Sequence, residues 1–403
     1  MDTVPPTAES NVAIFVAGRS AMDDRSGGVQ ICTREYIDTL NHAGFSLSNV
    51  VFDTDRSLFA KVARRFFAQP YHYHVADSIA DEIVSRCRAV GAKTIFLNQC
   101  DILGIVDKLR QQVPDVRLIF LSHGLESVDY IHTIRSERRG KSFEGLSRSK
   151  ELRLGRQLIE EYRQRESLCA SVCLSPIEVE IERWLGAKHV TWLPRVVTPV
   201  PFSWAPVPNR VGFVGTLGHP PNTEGLLLFL RELDKRQSQL KVRVIGGPKS
   251  DGESFAANFK NVEYLGSLSD DELINEAQSW QCFLHPLFCY PRGASTKLAI
   301  GLSWALPVVT TQAGCRGYEW REGQLTVGDT PSDFVDRVLE LTSCRTTLER
   351  AKDLSLLVRD TSPNVAQVAA KLKQFIAAVP TPKDRSINNC PIFEVGSKYR
   401  AVN

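Results

Sequence analysis

Residues 291–314 read PRGASTKLAIGLSWALPVVTTQAG, a loop of small residues followed by an apolar run and then a β-branched run. Gly293 and Ser295 stand in the loop, the apolar run covers 297–306, and residues 308–311 are Val-Val-Thr-Thr. An apolar run that stops at a proline and continues as β-branched residues is typical of a helix leading into a buried strand. The stretch therefore predicts one helix–strand unit of a parallel sheet.

The same alternation of short strands and longer amphipathic helices extends along the chain from Asn11 onward. It is typical of an α/β protein in which helices cover a parallel sheet. Strands are predicted at NVAIFVA, LSNVVF, KTIFLN, VRLIFLSH, CASVCLS, HVTWLP, VGFVG, LKVRVIGG, NVEYLG and WQCFLHP. Helices are predicted near 29–43, 75–91, 101–113, 144–167, 222–236, 269–279, 331–343, 346–358 and 363–378, and from Pro176 to Gly186.

The length of 403 residues predicts two domains, because single cores stop growing at ~250 to 300 residues. Residues 194–209 contain five prolines, which predicts a linker instead of a helix or central strand. We expect two Rossmann-like domains, 1–197 and 198–380, with a tail at 381–403 and with the last helix as a candidate for packing back on the N-terminal domain. Chemistry is expected in the cleft between the carboxyl ends of the two sheets.

Composition argues against several classes of protein. The formal net charge of +3 is too small to indicate nucleic-acid binding by overall attraction. The first ten residues lack the apolar run of a secretory signal, and no apolar stretch approaches the ~18 residues of a membrane span. The closest of ten scattered cysteines, Cys169 and Cys173, have no second Cys or His pair beside them. We therefore expect reduced thiols, a cytoplasmic location and no metal site.

Two loops of the first half carry candidate ligand-binding residues. Gly27 and Gly28 stand directly before a predicted helix, where glycine lets the backbone approach an anion at the helix N-terminus. A helix start that needs an unusual backbone angle explains them equally well. His123 follows a predicted strand and can bind a polar ligand, handle a proton or have only a structural role. His219 and His285 occupy similar positions in the second half.

Small residues also follow two strands of the second half. Gly215 and Thr216 lie between a strand and a helix, and Gly246 follows the next strand. Such residues permit close approach of a phosphate or a sugar. A tight strand-to-helix turn with a helix cap at Asn222 is the alternative.

The opening stretch is the last candidate loop. Arg292 and Lys297 can offer positive charge to a diphosphate, while Ser295, Thr296 and their backbone N–H groups can donate hydrogen bonds at a helix start. A helix with a basic first turn is the alternative, although a cation at that end opposes the helix dipole.

In order and spacing, these loops resemble the GT-B glycosyltransferases, specifically the retaining, nucleotide-sugar-dependent enzymes of glycosyltransferase family 4. The resemblance covers the second half best, and in the first half it rests on SGGVQ and His123. The matching segments of the second half are GFVGTLGHPPNTEGLLLFL, VRVIGG, NVEYLGSLSDDEL and GASTKLAIGLSWALPVVTTQAGCRG.

The resemblance implies a donor site in the second domain and an acceptor site in the first. It implies that Gly27 and Gly28 approach the donor phosphates and that His123 lies near the transferred sugar. It implies no obligatory metal, because helix N-termini and basic side chains stabilise the leaving diphosphate. Residues assigned to the nucleotide-sugar pocket are Gly215, Thr216, Gly246, Arg292, Gly293, Ser295, Thr296 and Lys297.

One departure from the family pattern is specific. The family usually carries two glutamates separated by seven residues in this segment, one facing the donor sugar and one the ribose. Here these positions are Arg292 and Ile300, and neither side chain can accept a hydrogen bond from a hydroxyl group. Donor affinity therefore comes from elsewhere, or the donor differs, or the site does not turn over.

A basic region between Arg135 and Arg165 holds eight Arg and two Lys against five Glu. Arg135, Arg138 and Arg139 begin it, and we assign them to an acceptor or membrane side facing anionic lipid or an acidic glycan. A solvated helix face is the alternative.

The predicted function is transfer of a sugar, with retention, from a nucleotide sugar to a glycan, lipid-linked or other hydroxyl acceptor. The alternatives are a non-catalytic GT-B-like subunit that binds a glycan or a partner transferase, and a nucleotide-sugar epimerase.

Overall fold

The structure, a computed structural model, describes residues 11–23, 27–66, 71, 74–137 and 147–381. Within these residues all strand pairs are parallel, and the strands form two sheets of six. The predicted α/β class is therefore confirmed, with one sheet on each side of residues 194–209, which form neither helix nor strand.

The first sheet has the strand order β2-β1-β3-β4-β5-β6, and its central strands are buried on both faces. This is why they read as continuous apolar runs in the sequence. Its elements are β1 (Asn11–Gly18), α1 (Gly28–His42), β2 (Phe45–Phe52), α2 (Leu58–Phe66), α3 (Asp77–Val90), β3 (Thr94–Asn98), α4 (Val106–Gln112), β4 (Arg117–Leu121), α5 (Glu126–Glu137), α6 (Arg148–Ser167), β5 (Ala170–Cys173), α7 (Pro176–Trp184) and β6 (Val190–Trp192).

The second sheet has the order β12-β11-β10-β7-β8-β9. Its core includes Trp280, whose ring fills the space beside Gly212, where a Cβ atom would lie 2.0 Å from the ring. Its elements are β7 (Arg210–Val214), α8 (Pro220–Lys235), β8 (Lys241–Ile245), α9 (Lys249–Asn258), β9 (Val262–Gly266), α10 (Asp270–Ala277), β10 (Phe283–Leu284), α11 (Thr296–Ser303), β11 (Val308–Thr310), α12 (Gln312–Cys315), β12 (Thr326–Val327), α13 (Pro331–Ser343), α14 (Arg345–Thr361) and α15 (Val365–Ala378).

The last helix, α15, returns to the first sheet. Its residues Val368 and Leu372 belong to the same apolar cluster as Phe15 of β1. Arg117 Nη1 donates a hydrogen bond to Ile376 O at 3.1 Å. The C-terminal end of the described chain is therefore part of the N-terminal domain's core.

The start of α8 differs from the sequence prediction. The helix begins at Pro220 with His219 as the preceding residue, so Asn222 lies inside the first turn and does not cap the helix. The Asn222 amide instead donates to Thr216 O at 2.9 Å. Because Pro220 has no N–H and a fixed φ, it is well suited to the first helical position.

The loop before α11, residues 290–294, is held by the N-terminal domain. Gly293 N–H donates to Glu178 Oε1 of α7 at 2.6 Å. Gly124 makes this approach possible, because a Cβ atom there would lie 2.5 Å from Gly293 N and because its φ is +95°. At this position both the backbone angle and the contact favour glycine.

Candidate functional site

A cleft of about 810 Å³ lies between the two sheets, lined by loops that follow their strands. It brings together nearly all of the predicted site residues from both halves of the chain. Arg135 lies on the exposed side of α5 and is not among the residues lining the cleft, and Arg138 and Arg139 lie outside the described residues. The predicted residues that line the cleft are Gly27, Gly28, His123, Gly215, Thr216, Gly246, Arg292, Gly293, Ser295, Thr296 and Lys297.

Two helix N-termini meet across this cleft. A Cβ atom added at Gly28, the first residue of α1, would lie 3.8 Å from Thr296 Oγ1, which belongs to the first residue of α11. Among the described residues, no side chain caps either helix, and neither helix has an acidic residue in its first turn. The Ser295 hydroxyl, which could cap α11, lies 2.8 Å from His285 Nε2 instead. The cleft therefore receives the positive ends of two helix dipoles, an arrangement that favours an anion.

Lys297 adds a positive charge next to these helix ends. Its Nζ donates to Asn222 Oδ1 at 2.8 Å, and the Asn222 amide in turn donates to Thr216 O. Gly215 makes room for the lysine, since a Cβ atom there would lie 2.6 Å from Lys297 Cε. Burial and the charge of Arg316 lower the pKa of Lys297 to about 8. Among the described residues, no salt bridge pairs this ammonium with a carboxylate.

Asn222 is a functional residue that the sequence interpretation missed. Its position six residues after Thr216 suggested a helix cap, whereas its side chain links the 216 loop to Lys297. The structure also explains Gly215 differently from the sequence interpretation. The absence of a side chain at this position leaves room for the side chain of Lys297, so the group that approaches the glycine closely belongs to the protein.

His123 lies just after β4 and is fixed by a chain of hydrogen bonds. Its Nε2 is 2.9 Å from Asn98 Oδ1, and Asn98 Nδ2 donates to Thr33 Oγ1 at 3.0 Å. The Thr33 hydroxyl donates to Val29 O at 2.9 Å, so it can only accept from the Asn98 amide. Asn98 Oδ1 is therefore the acceptor, and the proton of the His123 ring resides on Nε2.

The other ring nitrogen, Nδ1 of His123, is a buried acceptor without a hydrogen-bond partner among the described residues. Burial and the charges of Arg292 and Arg195 lower the pKa of His123 to about 3. The ring is consequently neutral at physiological pH. The sequence left three roles open for His123: binding a polar ligand, handling a proton, or a structural role. A neutral ring with this low pKa is suited to accepting a hydrogen bond from a ligand and is not suited to proton transfer.

Arg292 faces the N-terminal domain. Its Nε lies 2.7 Å from Asp129 Oδ2, and its Nη1 pairs with Glu126, both on α5. The guanidinium charge is therefore paired with two carboxylates of the N-terminal domain, whereas the sequence interpretation assigned it to a diphosphate. Asp129 Oδ1 is buried without a partner among the described side chains, and Asp129 lines the cleft.

The end of the cleft around Ile300 is apolar. Ile300 lines it together with Leu273, Ile274 and Trp304. The Trp304 indole stacks on Phe202 of the linker, with ring centroids 5.4 Å apart. A flat apolar ligand group fits such a wall, whereas residue 300 offers no acceptor for hydroxyl groups.

Within the described ranges, no three His, Cys, Asp or Glu side chains come together as a metal-binding group. Among the helices that the structure describes, none combines the length and apolar character needed to cross a bilayer.

Comparison with solved structures identifies the architecture. Anabaena HepE, solved in complex with UDP and glucose, is 10% identical, with a TM-score of 0.59 over 91% of this chain and 99% of that chain. Trehalose-6-phosphate synthase OtsA is 11% identical, with a TM-score of 0.58 over 92% and 99%. The fold is GT-B. The GT-B α,α-trehalose-phosphate synthase (UDP-forming) from Burkholderia xenovorans, solved with glucose-6-phosphate, is 10% identical and has a TM-score of 0.58 over 91% and 99%.

Within this GT-B fold, residues 208–344 match the family model described as glycosyl transferases group 1. The matched segment contains the 215 loop, Asn222 and the N-terminus of α11 with Lys297. A comparison with curated proteins finds no significant match.

Proposed function

We propose that this chain is a glycosyltransferase that takes a sugar from a nucleotide-sugar donor and binds the donor's diphosphate between the N-termini of α1 and α11. One observation carries the proposal. Two uncapped helix N-termini and the Lys297 ammonium converge in the cleft, and those of the second domain lie in the segment that matches glycosyl transferases group 1. The backbone N–H groups of helix N-termini and an ammonium group are hydrogen-bond donors that bind a diphosphate well.

In the proposed reaction, the bond between the sugar's anomeric carbon and the diphosphate oxygen breaks, and the acceptor hydroxyl oxygen bonds to that carbon on the same face. The hydroxyl proton passes to the departing diphosphate. Lys297 and the N–H groups of both helices stabilise the negative charge that develops on the diphosphate. We therefore propose that no metal is obligatory.

His123 positions the transferred sugar in this proposal. His123 lines the cleft, and its buried Nδ1 has no hydrogen-bond partner among the described residues. We propose that Nδ1 accepts a hydrogen bond from a hydroxyl of the bound sugar. Asn98 fixes the tautomer, so the ring does not have to exchange a proton. His123 thereby contributes to orientation, a term that is large when reacting groups are held in place.

The missing glutamate at position 292 has a replacement in the opposite domain. Arg292 holds Asp129 by one oxygen, and the other oxygen, Oδ1, lacks a protein partner among the described residues. We propose that Asp129 accepts hydrogen bonds from the donor sugar, in the role that the family resemblance gives to a glutamate of the C-terminal domain. The nucleotide base packs on the apolar wall at Ile300, so base stacking contributes affinity that ribose contacts at residue 300 cannot.

The acceptor enters from the N-terminal domain, and we propose a glycan, lipid-linked or other hydroxyl acceptor and a cytoplasmic location. A second candidate function is a non-catalytic GT-B-like subunit that binds a glycan or a partner transferase and does not transfer sugar. The observation that favours it is Ile300, because an apolar residue there removes a hydrogen-bond acceptor for the ribose that transfer enzymes of the family usually carry.

Binding and hydrolysis experiments separate these functions. The melting temperature of the full chain is measured with UDP, GDP, ADP, CDP and dTDP and with the corresponding nucleotide sugars. A ligand at about a hundred times its Kd stabilises by ~2.7 kcal/mol, which raises the melting temperature by several degrees. Release of free sugar from the stabilising donor supports the transferase, and binding without release supports the second candidate. If no nucleotide raises the melting temperature, the proposed function is wrong.

A further inference from the structure

Helix α2 has its large apolar residues on the outside. Ala60 and Ala63 form its buried face, with 1% and 0% exposure. A helix that only covers a core shows the reverse pattern, with large apolar residues facing inward. The large apolar side chains on the outer face are Leu58 (79% exposed), Phe59 (68%), Val62 (47%) and Phe66 (62%).

The outward orientation belongs to a well-formed helix. The Ser57 hydroxyl accepts a hydrogen bond from Ala60 N at 3.1 Å, which caps the helix N-terminus. Arg64 Nη1 donates to Asp55 O at 2.7 Å and ties the helix to the preceding loop. The apolar face is therefore fixed on the protein surface, and it forms a contiguous stripe along one side of the helix.

Within residues 56–66 the charge has one sign, and the acidic residue Asp55 lies just before this stretch, where its carboxylate accepts a hydrogen bond from Ser57 N at 2.8 Å. Residues 56–66, RSLFAKVARRF, contain four basic residues and no acidic residue. Lys61 is exposed between the apolar side chains, and Arg56 is exposed just before the helix. A short helix with an apolar face and basic flanks is the pattern of a segment that lies in the interface of an anionic bilayer. Its nine residues extend for about 14 Å, too short to cross a bilayer.

Helix α6 shows a similar inversion, and it contacts a residue that follows α2 in the sequence. Tyr71, five residues after α2, donates its backbone N–H to Glu160 Oε2 of α6 at 2.8 Å. Glu160 and Glu161 are buried, and Glu161 accepts from Ser127 Oγ at 2.6 Å. With polar groups turned inward, α6 exposes the apolar side chains of Leu152, Ile159 and Tyr162.

Helix α2 belongs to the N-terminal domain, the domain from which we propose that the acceptor enters. It follows β2, and His123 of the cleft follows β4 of the same parallel sheet. Because parallel strands end at the same edge of their sheet, the loop that leads into α2 starts at the edge where the cleft lies.

We propose that the outer face of α2 docks this protein on the surface of an anionic lipid bilayer, with Leu58, Phe59, Val62 and Phe66 inserted at the headgroup boundary and Lys61 and Arg56 against lipid phosphates. Docking of this face is a binding property that does not require the chain to transfer sugar. The further consequence, that a lipid-carried acceptor reaches the cleft from the bilayer, rests on the proposed function.

The test is co-sedimentation of the full chain with vesicles of phosphatidylcholine, with and without phosphatidylglycerol. We expect binding only to vesicles that contain phosphatidylglycerol, and we expect added salt to weaken it. Lys61→Ala should lower the partition coefficient about fivefold. The double substitution L58S/F59S should lower it by more than roughly tenfold, because two large apolar groups no longer enter the bilayer. The matched control is Leu357→Ser on α14 of the other domain, 41% exposed, which should bind like the wild type.

The melting temperature of each variant shows whether it is folded. A rise of that temperature with the nucleotide selected by the screen shows whether the cleft is intact. If L58S/F59S does not fold, Lys61→Ala and the salt dependence still test the proposal. Equal binding to both kinds of vesicle, no binding to either, or wild-type binding by L58S/F59S would overturn it. The proposal would also be overturned if the wild type bound no vesicles but formed a concentration-dependent dimer that L58S/F59S abolished. A second copy of the chain would then cover the apolar face of α2. Nucleotide binding is measured separately, so failure of docking leaves the proposed function intact, and failure of nucleotide binding leaves docking intact.

Discussion

The pKa of Lys297 makes the affinity for a nucleoside diphosphate depend on pH. In the empty cleft, burial and Arg316 hold this pKa at about 8, well below the usual value for lysine. A bound diphosphate places negative charge beside the ammonium and raises the pKa. The diphosphate thus binds the protonated lysine more tightly than the neutral one. The affinity for the diphosphate is highest below pH 8. It falls as the pH rises above 8 and levels off above the higher pKa of the complex.

The magnitude follows from the gap between these two pKa values. If the diphosphate restores the usual value of about 10.4, the dissociation constant rises by up to tenfold for each pH unit above 8 and by ~250-fold in total. Lys297 is partly exposed to the cleft, so solvent screens the interaction and this total is an upper bound. We expect at least a tenfold weaker affinity for UDP, or for the nucleotide that the screen selects, at pH 9.5 than at pH 7, measured by titration calorimetry.

Substitution of the lysine provides the internal check. Lys297→Met keeps the length of the side chain and removes the charge, so its affinity should be weak at pH 7 and independent of pH between 7 and 9.5. The two curves should converge at high pH, where the wild-type lysine is also neutral. The control is Lys249→Met, whose 81% exposed side chain pairs only loosely with Glu253 at 3.5 Å and should leave the wild-type curve unchanged. A wild-type pH slope in Lys297→Met would refute the assignment of the charge to this lysine.

Three further outcomes are expected. Gly124→Ala should lower the free energy of unfolding by about 2 to 4 kcal/mol in urea titrations, because it adds both a strained φ and a contact at 2.5 Å; an unchanged midpoint would contradict the close approach. His123→Ala should lower kcat/KM by roughly a hundredfold while leaving the Kd of the nucleoside diphosphate unchanged, and wild-type kcat/KM should show no histidine titration between pH 5.5 and 8. Glu182→Gln should cost about 3 kcal/mol of stability, because it leaves the buried Arg165 guanidinium without its 2.7 Å partner; R165M/E182L, with neither charge, should be more stable than Glu182→Gln in the same urea titration.

The strands and most helices were predictable because their apolar periodicity follows directly from burial. Helix α9 was not, since KSDGESFAAN contains Gly252 and few apolar residues. The glycine is there for packing, because a Cβ atom would lie 2.1 Å from the Tyr264 ring. Here a tertiary contact outweighs the low helix propensity of glycine, and a single sequence carries no sign of it.

Helix α2 was missed for a different reason. Its apolar residues at 58, 59, 62 and 66 have helical spacing, but a helix is usually recognised by the large residues that it buries, and this one buries only alanines. No helix is therefore predicted from the sequence between 43 and 75. The inversion that hid the helix is the same feature that makes its outer face a docking surface.

The location of the cleft could be predicted from the sequence, but the side-chain contacts within it could not. Glycines and basic residues after strands indicate where a ligand can bind, since parallel strands end at the same edge of their sheet. Which of those charges are available depends on pairs distant in sequence. Glu126 and Arg292 are 166 residues apart, and only the folded chain shows that the arginine is already neutralised while Lys297 is not.

By its resemblance to family 4, this chain has Arg292 where a glutamate is usual, and the difference concerns more than the sign of one charge. A glutamate at this position would bring a carboxylate to the donor sugar from the C-terminal domain alone. Here the carboxylate belongs to Asp129 on α5, and the guanidinium that holds it belongs to the opposite domain. Separation of the domains would leave Asp129 without its partner and would take its carboxylate away from the loop at 290–294. The sugar-binding end of the cleft, as we propose it, is therefore complete only while the two domains are closed, which couples donor recognition to closure.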